Sequence, residues 1–506
     1  MTEDQLTRAI ADHDAGRLEA AEEGYRAILA EDPDNADALH MLGALRLNTG
    51  DAAGAEELIE RAIEIRPDDA RFHNSHGIVL QALERYEDAR TAFEQSLAAA
   101  PDYSEAYANL GALLLDRKRY DEAAFVLRKA MIYQPDHITA CNNLGRALLW
   151  LDQAEEAIGL FQAVLHMQPD HVMALTNLGV GLNMAGDHEA AREAFERAIE
   201  IDPTQIEAHV NLGQTLLLLG DFENGWAEQE WRLRRADYRT EFTAPRWQGE
   251  DVAGKTVMLW TEQGLGDAIH FARYAPMVAA KGARVVVECE PALHRLFQAA
   301  EGIAEVAETE AVHGYDFHAP LMSLPLVFET DAESIPAEVP YLARPAPMGL
   351  GPGDGPRVGP RVGLVWSGNP KHSRDIARSR RLSEFAPLAR VAGAAFLSLQ
   401  FGSASEETPP DDMELIDLVP RIADFHDTAA AMMALDLVIT VDTAPAHLAG
   451  ALGMPVWVLL PATPDWRWLL GRDDCPWYPT MRLFREEGDW PATFERVAEA
   501  LAGFSG

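Results

Sequence analysis

Apolar and polar residues alternate with helical spacing throughout the first half of the chain. In the stretch NLGALLLDRKRYDEAAFVLRKAMIYQP, from Asn109 to Pro135, two such patterns flank a short polar turn. Apolar residues three and four positions apart form one face of a helix, which is buried against a neighbouring helix. The pattern therefore predicts paired helices in this half of the chain.

The helical pattern repeats every 34 residues. Each unit has a glycine in its first helix, a small residue in its second helix and a proline after the second helix. The three columns are Gly43, Gly77, Gly111, Gly145, Gly179 and Gly213; Ala21, Ala55, Ala89, Ala123, Ala157, Ala191 and Gly225; and Pro33, Pro67, Pro101, Pro135, Pro169 and Pro203. Small residues let paired helices approach closely, so the columns predict stacked helical hairpins.

These columns resemble the tetratricopeptide repeat family, and the resemblance implies a right-handed α-solenoid over residues 2 to 237. The solenoid would contain six full repeats and a degenerate seventh. In the seventh repeat Gly225 keeps the small position, but Asp237 stands where proline is expected.

A column of asparagines, two residues before the glycine, runs through four successive repeats. Its members are Asn109, Asn143, Asn177 and Asn211. A side-chain amide has both a donor and an acceptor, as a bound peptide backbone requires. Two interpretations remain open: the column binds a polypeptide acceptor in the solenoid groove, or it bonds the neighbouring repeat. The column is similar to the ladder of the O-linked N-acetylglucosamine transferases, where such a ladder grips substrate polypeptide.

The 34-residue period stops near residue 245, and short apolar runs alternate with helical patterns from there on. KTVMLW, ARVVVEC, RVGLVW, AAFLSLQ, LDLVIT and PVWVLLP are predicted strands. FARYAPMVAAKG, PAHLAGALG and PATFERVAEALAG are predicted helices. The run PAPMGLGPGDGPRVGP, residues 345–360, is too rich in Pro and Gly for a helix or a central strand and indicates a linker. The pattern predicts two parallel α/β regions.

Three segments in this half carry a second resemblance. TEQGLGDAIHFARYAP, VGLVWSGNPKHSRDIARSRRL and VDTAPAHLAGALG, in this order, look like the bacterial heptosyltransferase-related, family 9-like glycosyltransferases, and DWRWLLGRDDCPWYPTMRLF extends the likeness to tetratricopeptide-fused members. The resemblance implies a GT-B architecture, two Rossmann-like domains facing a cleft. The predicted domains are the solenoid at 1–237, an acceptor-side half at 238–344, the linker at 345–360 and a nucleotide-sugar half at 361–506.

The first of these segments contains the predicted catalytic base. Gly264 and Gly266 allow a tight turn after the first strand, beside the acceptor, and Asp267 lies at the start of the following helix. Asp267 matches the aspartate that the heptosyltransferases use as a base, and its setting suits proton abstraction. The alternative is a helix cap, since Asp favours that position. His270, one turn further on, is a weaker candidate for the base.

The donor is expected at the C-terminal half. An arginine-rich loop follows the strand RVGLVW and contains Lys371, Arg374, Arg378, Arg380 and Arg381. Arg offers a bidentate fork to a diphosphate, and Arg378 is the preferred ligand. Other predicted donor contacts are Ser367, Gly368 and Asn369 after that strand, Gln400 at the base or ribose, and Asp442, Thr443, Ala444 and His447 at the start of a helix. Helix N-termini attract phosphate, whereas Asp442 suits a sugar or ribose hydroxyl. Two alternatives stay open: the arginine-rich loop is only a solvated basic loop, and His447 only forms hydrogen bonds within its own turn.

Composition limits which classes of partner and which cellular compartment we expect for the protein. The 42 Lys and Arg against 81 Asp and Glu give a net charge of -39, which disfavours nucleic acid or an anionic membrane as principal partner. The opening MTEDQLTRAI is unlike a secretory leader, no apolar run reaches 18 residues, and Cys141, Cys289 and Cys475 are scattered. We expect a cytoplasmic protein without membrane insertion.

The sequence also limits the classes of enzymatic reaction that we expect. It contains no phosphate loop of the G-x-x-x-x-G-K-[ST] type and no G-x-S-x-G elbow, and after residue 245 it has no D-x-D. We expect no metal and no cofactor other than a nucleotide sugar as co-substrate. The sequence favours a glycosyltransferase that modifies a Ser or Thr hydroxyl of a captured polypeptide, with flagellin suggested by the resemblance. A glycan acceptor such as lipopolysaccharide, or a scaffold with an inactive transferase domain, are the alternatives.

Overall fold

The structure, a computed structural model, describes residues 2–236, 238–239, 241–308, 314–350, 359–372 and 375–504. It divides into two compact units, Met1–Gly181 and Leu182–Gly506. The predicted domain boundaries after residues 237, 344 and 360 stay predictions. Asp237, and residues 351–358 of the predicted linker, lie outside the described part of the chain.

Fourteen helices follow one another over residues 2–229, two in each 34-residue period, as the period predicts. They are α1 Thr2–Asp14, α2 Leu18–Glu31, α3 Ala36–Asn48, α4 Ala52–Ile65, α5 Ala70–Ala82, α6 Tyr86–Ala99, α7 Ser104–Asp116, α8 Tyr120–Tyr133, α9 Ile138–Trp150, α10 Ala154–Met167, α11 Val172–Met184, α12 His188–Ile201, α13 Ile206–Leu219 and α14 Phe222–Gln229. The predicted helical solenoid is confirmed.

The columns of small residues lie where paired helices touch. In the column of small residues of the second helices, the six alanines are completely buried. A methyl group added to Gly145 would approach the Phe161 ring to 2.5 Å, and one added to Gly111 would approach Leu127 to 2.4 Å. The glycine column therefore sets how closely the two helices of a hairpin pack.

Two sheets follow in the second unit, and the first is parallel throughout its described strands. The first has the order β3-β2-β1-β4, with β1 Thr256–Trp260, β2 Arg284–Glu288, β3 Glu305–Ala307 and β4 Phe317–Pro320. Its helices are α15 Leu265–Phe271, α16 Ala275–Ala280, α17 Pro291–Gln298 and α18 Leu324–Val327. The single helix predicted between β1 and β2 is thus divided in two, with a 3-10 turn at Ala272–Tyr274.

The second sheet has the order β10-β11-β9-β8-β5-β6-β7. Its strands are β5 Arg361–Val365, β6 Ala395–Ser398, β7 Leu415–Asp417, β8 Leu437–Val441, β9 Val456–Leu460, β10 Asp474–Cys475 and β11 Tyr478–Arg485. Its helices are α19 Asp375–Arg378, α20 Ala386–Ala389, α21 Phe425–Met432, α22 Ala444–Ala451 and α23 Trp490–Ala502. Among the described strands of this sheet, the edge pair β10 and β11 alone is antiparallel. The predicted α/β character of this half is confirmed.

The last repeats and the two sheets share one hydrophobic core. Leu217 and Phe222 of the repeats belong to the same buried cluster as Val257 of the first sheet and Val458 of the second. The indole N–H of Trp226 donates to the Thr330 carbonyl at 2.8 Å. This continuous core fixes α13 and α14 relative to the loops of both sheets.

A buried ion pair adds to this attachment. Arg232, in the 3-10 turn Glu230–Arg234 after α14, donates to both carboxylate oxygens of Glu262 at 2.9 and 2.7 Å. Glu262 directly precedes the loop that contains the candidate base. Breaking a buried pair of this kind costs about 3–5 kcal/mol, because it leaves one charge without its partner.

Candidate functional site

A cavity of about 800 Å³ lies at the carboxyl ends of strands from both sheets. In the second sheet, β6 and β7 extend on one side of β5, whereas β8, β9 and β11 extend on the other. The strand order therefore reverses between β5 and β8, where doubly wound sheets bind their ligands. The loops that follow β5 and β8 both line the cavity.

The loop after β1 lines the opposite side of the cavity and contains Gly264, Gly266 and Asp267. A methyl group on Gly266 would lie 3.1 Å from Cδ2 of His447 and 3.4 Å from Cα of Ala444. The glycine thus permits α15 and α22 to meet, and brings the two loops together.

Asp267 both caps its helix and lines the cavity. Its Oδ2 accepts a hydrogen bond from the Gly264 N–H at 3.0 Å. Its Oδ1 pairs with Nη2 of Arg467, which the second sheet contributes. The capping interaction considered from the sequence is therefore present, and an ion pair accompanies it.

The loop after β5 is organised around Arg378. Its Nη1 donates to the Asp442 carbonyl at 3.0 Å, and its Nε donates to Oδ1 of Asp375 at 3.3 Å. A methyl group on Gly368 would lie 2.8 Å from Nη2 of Arg378, so the guanidinium packs directly against this glycine. Ser367, Gly368, Asn369 and Arg378 all line the cavity.

The other basic residues of this loop differ from Arg378. Arg380 bonds backbone carbonyls and stacks on the Trp490 ring at 4.3 Å. Lys371 is exposed, and Arg374 lies outside the described residues. Of the described lysines and arginines of this loop, Arg378 alone lines the cavity, where His372 of the same loop also lies.

Gln400 lines the cavity, but its side chain is used within the protein. Its Oε1 accepts from the Trp366 and Ser367 N–H groups at 2.9 and 2.8 Å, and its Nε2 donates to the Ser367 and Phe401 carbonyls. These four bonds hold the loop after β5 in place. The predicted contact to a base or ribose stays a prediction.

The loop after β8 leads directly into α22. Asp442, Thr443 and Ala444 line the cavity, and Thr443 is the N-cap residue. Its hydroxyl lies 3.3 Å from the Thr440 hydroxyl and makes no capping bond to the helix. The first turn of α22 therefore offers the positive end of its dipole to the cavity without a capping side chain.

Asp442 has an unusual proton affinity. Burial, reinforced by the nearby Asp465 carboxylate, raises the pKa of Asp442 to about 6, although Arg378 and Arg467 oppose the shift. Its carboxyl group thus changes charge close to neutral pH, as groups in functional sites often do.

His447 and His270 share one tyrosine. Nδ1 of each ring lies 3.0 Å from the Tyr478 hydroxyl. Burial, together with nearby arginines, lowers the pKa of both histidines well below the usual value, so both are neutral at physiological pH. His447 reaches the cavity, whereas His270 is completely buried, which agrees with a packing role for His270.

A third wall of the cavity comes from the last repeats. Asn183, His188, Gln214, Thr215 and Gln229 line it. Asn183 donates to the Thr215 hydroxyl at 2.8 Å, and its Oδ1 lies 3.0 Å from Nδ1 of His188. This wall contains neutral amides and hydroxyls, of which Asn183, Thr215 and Gln229 already bond within the protein, and no acidic or basic side chain other than histidine among the described residues.

The predicted asparagine column makes several kinds of contact. Asn109 donates to Oδ1 of Asn74 at 3.0 Å, and Asn177 donates to Oδ1 of Asn142 at 3.0 Å, in each case in the preceding repeat. Asn143 accepts from Arg146 at 3.3 Å, and Asn211 donates to the Glu207 carbonyl at 2.8 Å. Two of the four amides therefore join neighbouring repeats, as the second interpretation of the column expects.

Arg467 and Asp465 are the site residues that the sequence analysis missed, together with the wall from the last repeats. Both follow β9, the strand next to β8, so their loop reaches the same edge of the sheet. The sequence feature that could have placed them there is the segment TPDWRW, which follows the predicted strand PVWVLLP. Loops after neighbouring parallel strands share one edge of the sheet.

Two groups of potential metal ligands occur among the described residues. Glu56, Glu60 and His76 form one, and Asp424, His426 and Asp427 form the other. An arginine bonds each group: Arg85 pairs with Glu56 at 2.5 Å, and Arg295 pairs with Asp424 at 3.0 Å. The guanidinium groups thus supply positive charge at both positions.

The fold and the cavity define a helical-repeat protein joined to a doubly wound α/β region. Models described as tetratricopeptide repeat match residues 13–77, 74–135, 142–206 and 194–228. The N-terminal region thus contains tetratricopeptide repeats, which are modules of protein interaction. In the part of the chain that the structure describes, no helix is long and apolar enough to cross a membrane.

Protein FlbA of Caulobacter vibrioides is a relative of this chain. The two are 32% identical over 329 residues, which cover 56% of this chain and 52% of FlbA. The chain therefore spans about half the length of this curated relative.

Solved structures also match part of this chain. YrrB, a TPR protein with an unusual peptide-binding site, is 24% identical, with a TM-score of 0.32, over 37% of this chain and 96% of YrrB. PilW, a type IV pilus biogenesis factor, is 20% identical, with a TM-score of 0.39, over 42% of this chain and 98% of PilW.

Proposed function

We propose that the protein is a metal-independent glycosyltransferase that moves a sugar from a nucleotide sugar to a Ser or Thr hydroxyl of a polypeptide. The observation that carries the proposal is the position of the cavity. It lies where the strand order reverses, between Arg378 and the uncapped start of α22 on one side and Asp267 on the other. These groups suit a leaving phosphate and a proton acceptor, respectively.

The proposed reaction is a single displacement. The acceptor oxygen bonds the anomeric carbon of the sugar while the bond from that carbon to the phosphate oxygen breaks. The bonding electron pair leaves with the phosphate, where Arg378 and the α22 dipole stabilise the charge, and the hydroxyl proton passes to Asp267. Asp442 is assigned to a sugar or ribose hydroxyl.

The wall from the last repeats supports a polypeptide acceptor. Gln214 is exposed at this wall, and its neutral amide matches the amides of an extended chain, whereas Asn183 and Thr215 bond to each other. A phosphorylated glycan would instead favour cationic side chains at this wall. Flagellin is the first polypeptide to test, because of the resemblance noted from the sequence.

The test is a transfer assay with the full chain. UDP-, GDP-, TDP-, ADP- and CMP-linked sugars are each supplied with flagellin, and the mass of the polypeptide is measured. We expect one donor to add a sugar mass to the polypeptide. Lipopolysaccharide as acceptor in a parallel assay tests the glycan alternative, and absence of transfer to either acceptor would contradict the proposal.

The Asp267→Asn variant tests the assignment of the base. An amide keeps the shape of the side chain but takes no proton, so we expect turnover to fall about 10²–10⁴-fold. Asp316→Asn is the matched control, because Asp316 binds the Thr256 N–H at the amino end of β1, away from the cavity. Near wild-type turnover of Asp267→Asn would show that Asp267 is not the base and leave it with its cap and its ion pair to Arg467.

A further inference from the structure

Arg467 lies in the segment DWRWLLGRDDC, to which the proposed reaction assigns no role. It occupies a 3-10 turn, Trp466–Trp468, after β9 and lines the cavity. Its side chain is only 8% exposed, and its guanidinium carbon lies 4.2 Å from the centre of the Trp466 ring. The cation is thus fixed by packing as well as by charge.

Arg467 binds two carboxylates from different parts of the site. Nη2 pairs with Asp267 of the first sheet, and Nη1 donates to Oδ1 of Asp465 at 2.8 Å. Its Nε is buried and has no hydrogen-bond partner among the described residues. The guanidinium therefore has donor capacity beyond its two ion pairs.

The distribution of charge around the cavity makes Arg467 a candidate ligand for an anion. Among the described residues, Arg378 and Arg467 are the two arginines that line the cavity. Arg378 already donates to the Asp442 carbonyl and to Asp375. A diphosphate carries more negative charge than one carboxylate and accepts the planar arginine fork, so it competes effectively for Arg467.

We propose that Arg467 is a second ligand of the leaving phosphate and exchanges Asp267 for that phosphate when the donor binds. This inference rests on the proposed function and deepens it. The exchange releases Oδ1 of Asp267 from its ion pair, so the carboxylate becomes available to the acceptor hydroxyl only after the donor is in place. Donor binding and activation of the base are thereby coupled through one side chain.

Binding calorimetry on the full chain tests the exchange. UDP, GDP, TDP, ADP and CMP are first measured on the wild type, and the nucleotide that binds is then compared with its phosphate-free nucleoside on the variants. Arg467→Gln should weaken the nucleotide about 10- to 100-fold and leave the nucleoside unchanged, because only the nucleotide loses a charge-assisted bond. Asp267→Asn should bind the nucleotide about 2- to 10-fold more tightly, because a neutral amide competes less for Arg467.

Arg472→Gln is the matched control, since Arg472 pairs with Asp474 outside the cavity and should leave both affinities unchanged. Equal nucleotide affinity in Arg467→Gln and the wild type, or equal loss of nucleotide and nucleoside, would overturn the inference and leave the proposed function standing. If circular dichroism shows that Arg467→Gln is unfolded, the Asp267→Asn measurement decides, and unchanged or weaker nucleotide binding there overturns the inference. Failure of every nucleotide to bind the wild type would overturn both proposals.

Discussion

The carboxyl group of Asp442 combines a raised pKa with a position at the switch point of the second sheet. Its pKa is about 6 in the folded protein, against an ordinary value of 3.8. Between these values the folded state holds a proton that the unfolded chain has lost. The stabilising contribution of the protonated group is therefore complete below about pH 4 and is lost as the pH rises through 6.

This linkage predicts the effect of Asp442→Asn on stability. The amide stays neutral at every pH, so the free energy of unfolding of the variant, relative to the wild type, should rise by roughly 1–3 kcal/mol between pH 4 and pH 7.5. Urea unfolding of both proteins at several pH values measures this difference. Asp411→Asn, in an exposed loop, controls for the loss of a carboxylate as such, and a difference that stays constant with pH would refute the prediction.

Individual site residues were predictable where a motif contained them. Gly264, Gly266 and Asp267 lie on the cavity wall because a glycine turn follows a buried strand, a pattern visible in the letters. Arg467 was not predictable in the same way, because its partner Asp267 is 200 residues away in the chain. Nor does the sequence reveal that Gln400 uses its whole amide to hold a loop, since that depends on where the loop after β5 passes.

The helical hairpins offer a direct test of the close packing that their glycines allow. Gly145 on α9 faces the rigid Phe161 ring, whereas Gly159 on α10 has no atom within 4 Å of an added methyl group. Gly145→Ala should lower the free energy of unfolding by about 1–3 kcal/mol through overpacking. Gly159→Ala should raise it by about 0.5–1 kcal/mol, because alanine favours the helix.

The two variants control each other, since both place the same methyl group in a helix of the first unit. Urea unfolding followed by circular dichroism measures both. Similar shifts of the same sign would show that the approach of the helices does not depend on Gly145.

Strong periodicity made the helices predictable, and weak periodicity hid several strands. Strands β3, β4, β7 and β10 have two to four residues each, too few for a pattern to develop. Strand β11 alternates buried and exposed residues irregularly, so no period-two pattern in the sequence predicts it. This segment is a strand because it pairs with β9, and the local sequence does not encode that tertiary pairing.

The division into two compact units predicts how the whole chain unfolds. Calorimetric unfolding should show two transitions rather than one, because each unit has its own core. A nucleotide that binds the cavity should stabilise only the unit Leu182–Gly506. At a nucleotide concentration a hundred times its Kd, the free energy of unfolding of that unit should rise by about 2.7 kcal/mol. Gly159→Ala should change the unfolding temperature of the other transition only. The two changes together show which transition belongs to which unit. One transition that responds to both changes would contradict this expectation.

The shared core of the last repeats and the α/β region has a consequence for protein engineering. A truncation placed where the 34-residue period ends would cut through the cluster of Leu217, Phe222 and Trp226 and would remove Asn183 and Thr215 from the cavity. Such a fragment would be prone to aggregation, because the exposed core surface is large and apolar. A cut in the turn before α11 keeps that helix whole and leaves both the cluster and Asn183 in place, so the preceding repeats are the part of the chain that can be exchanged.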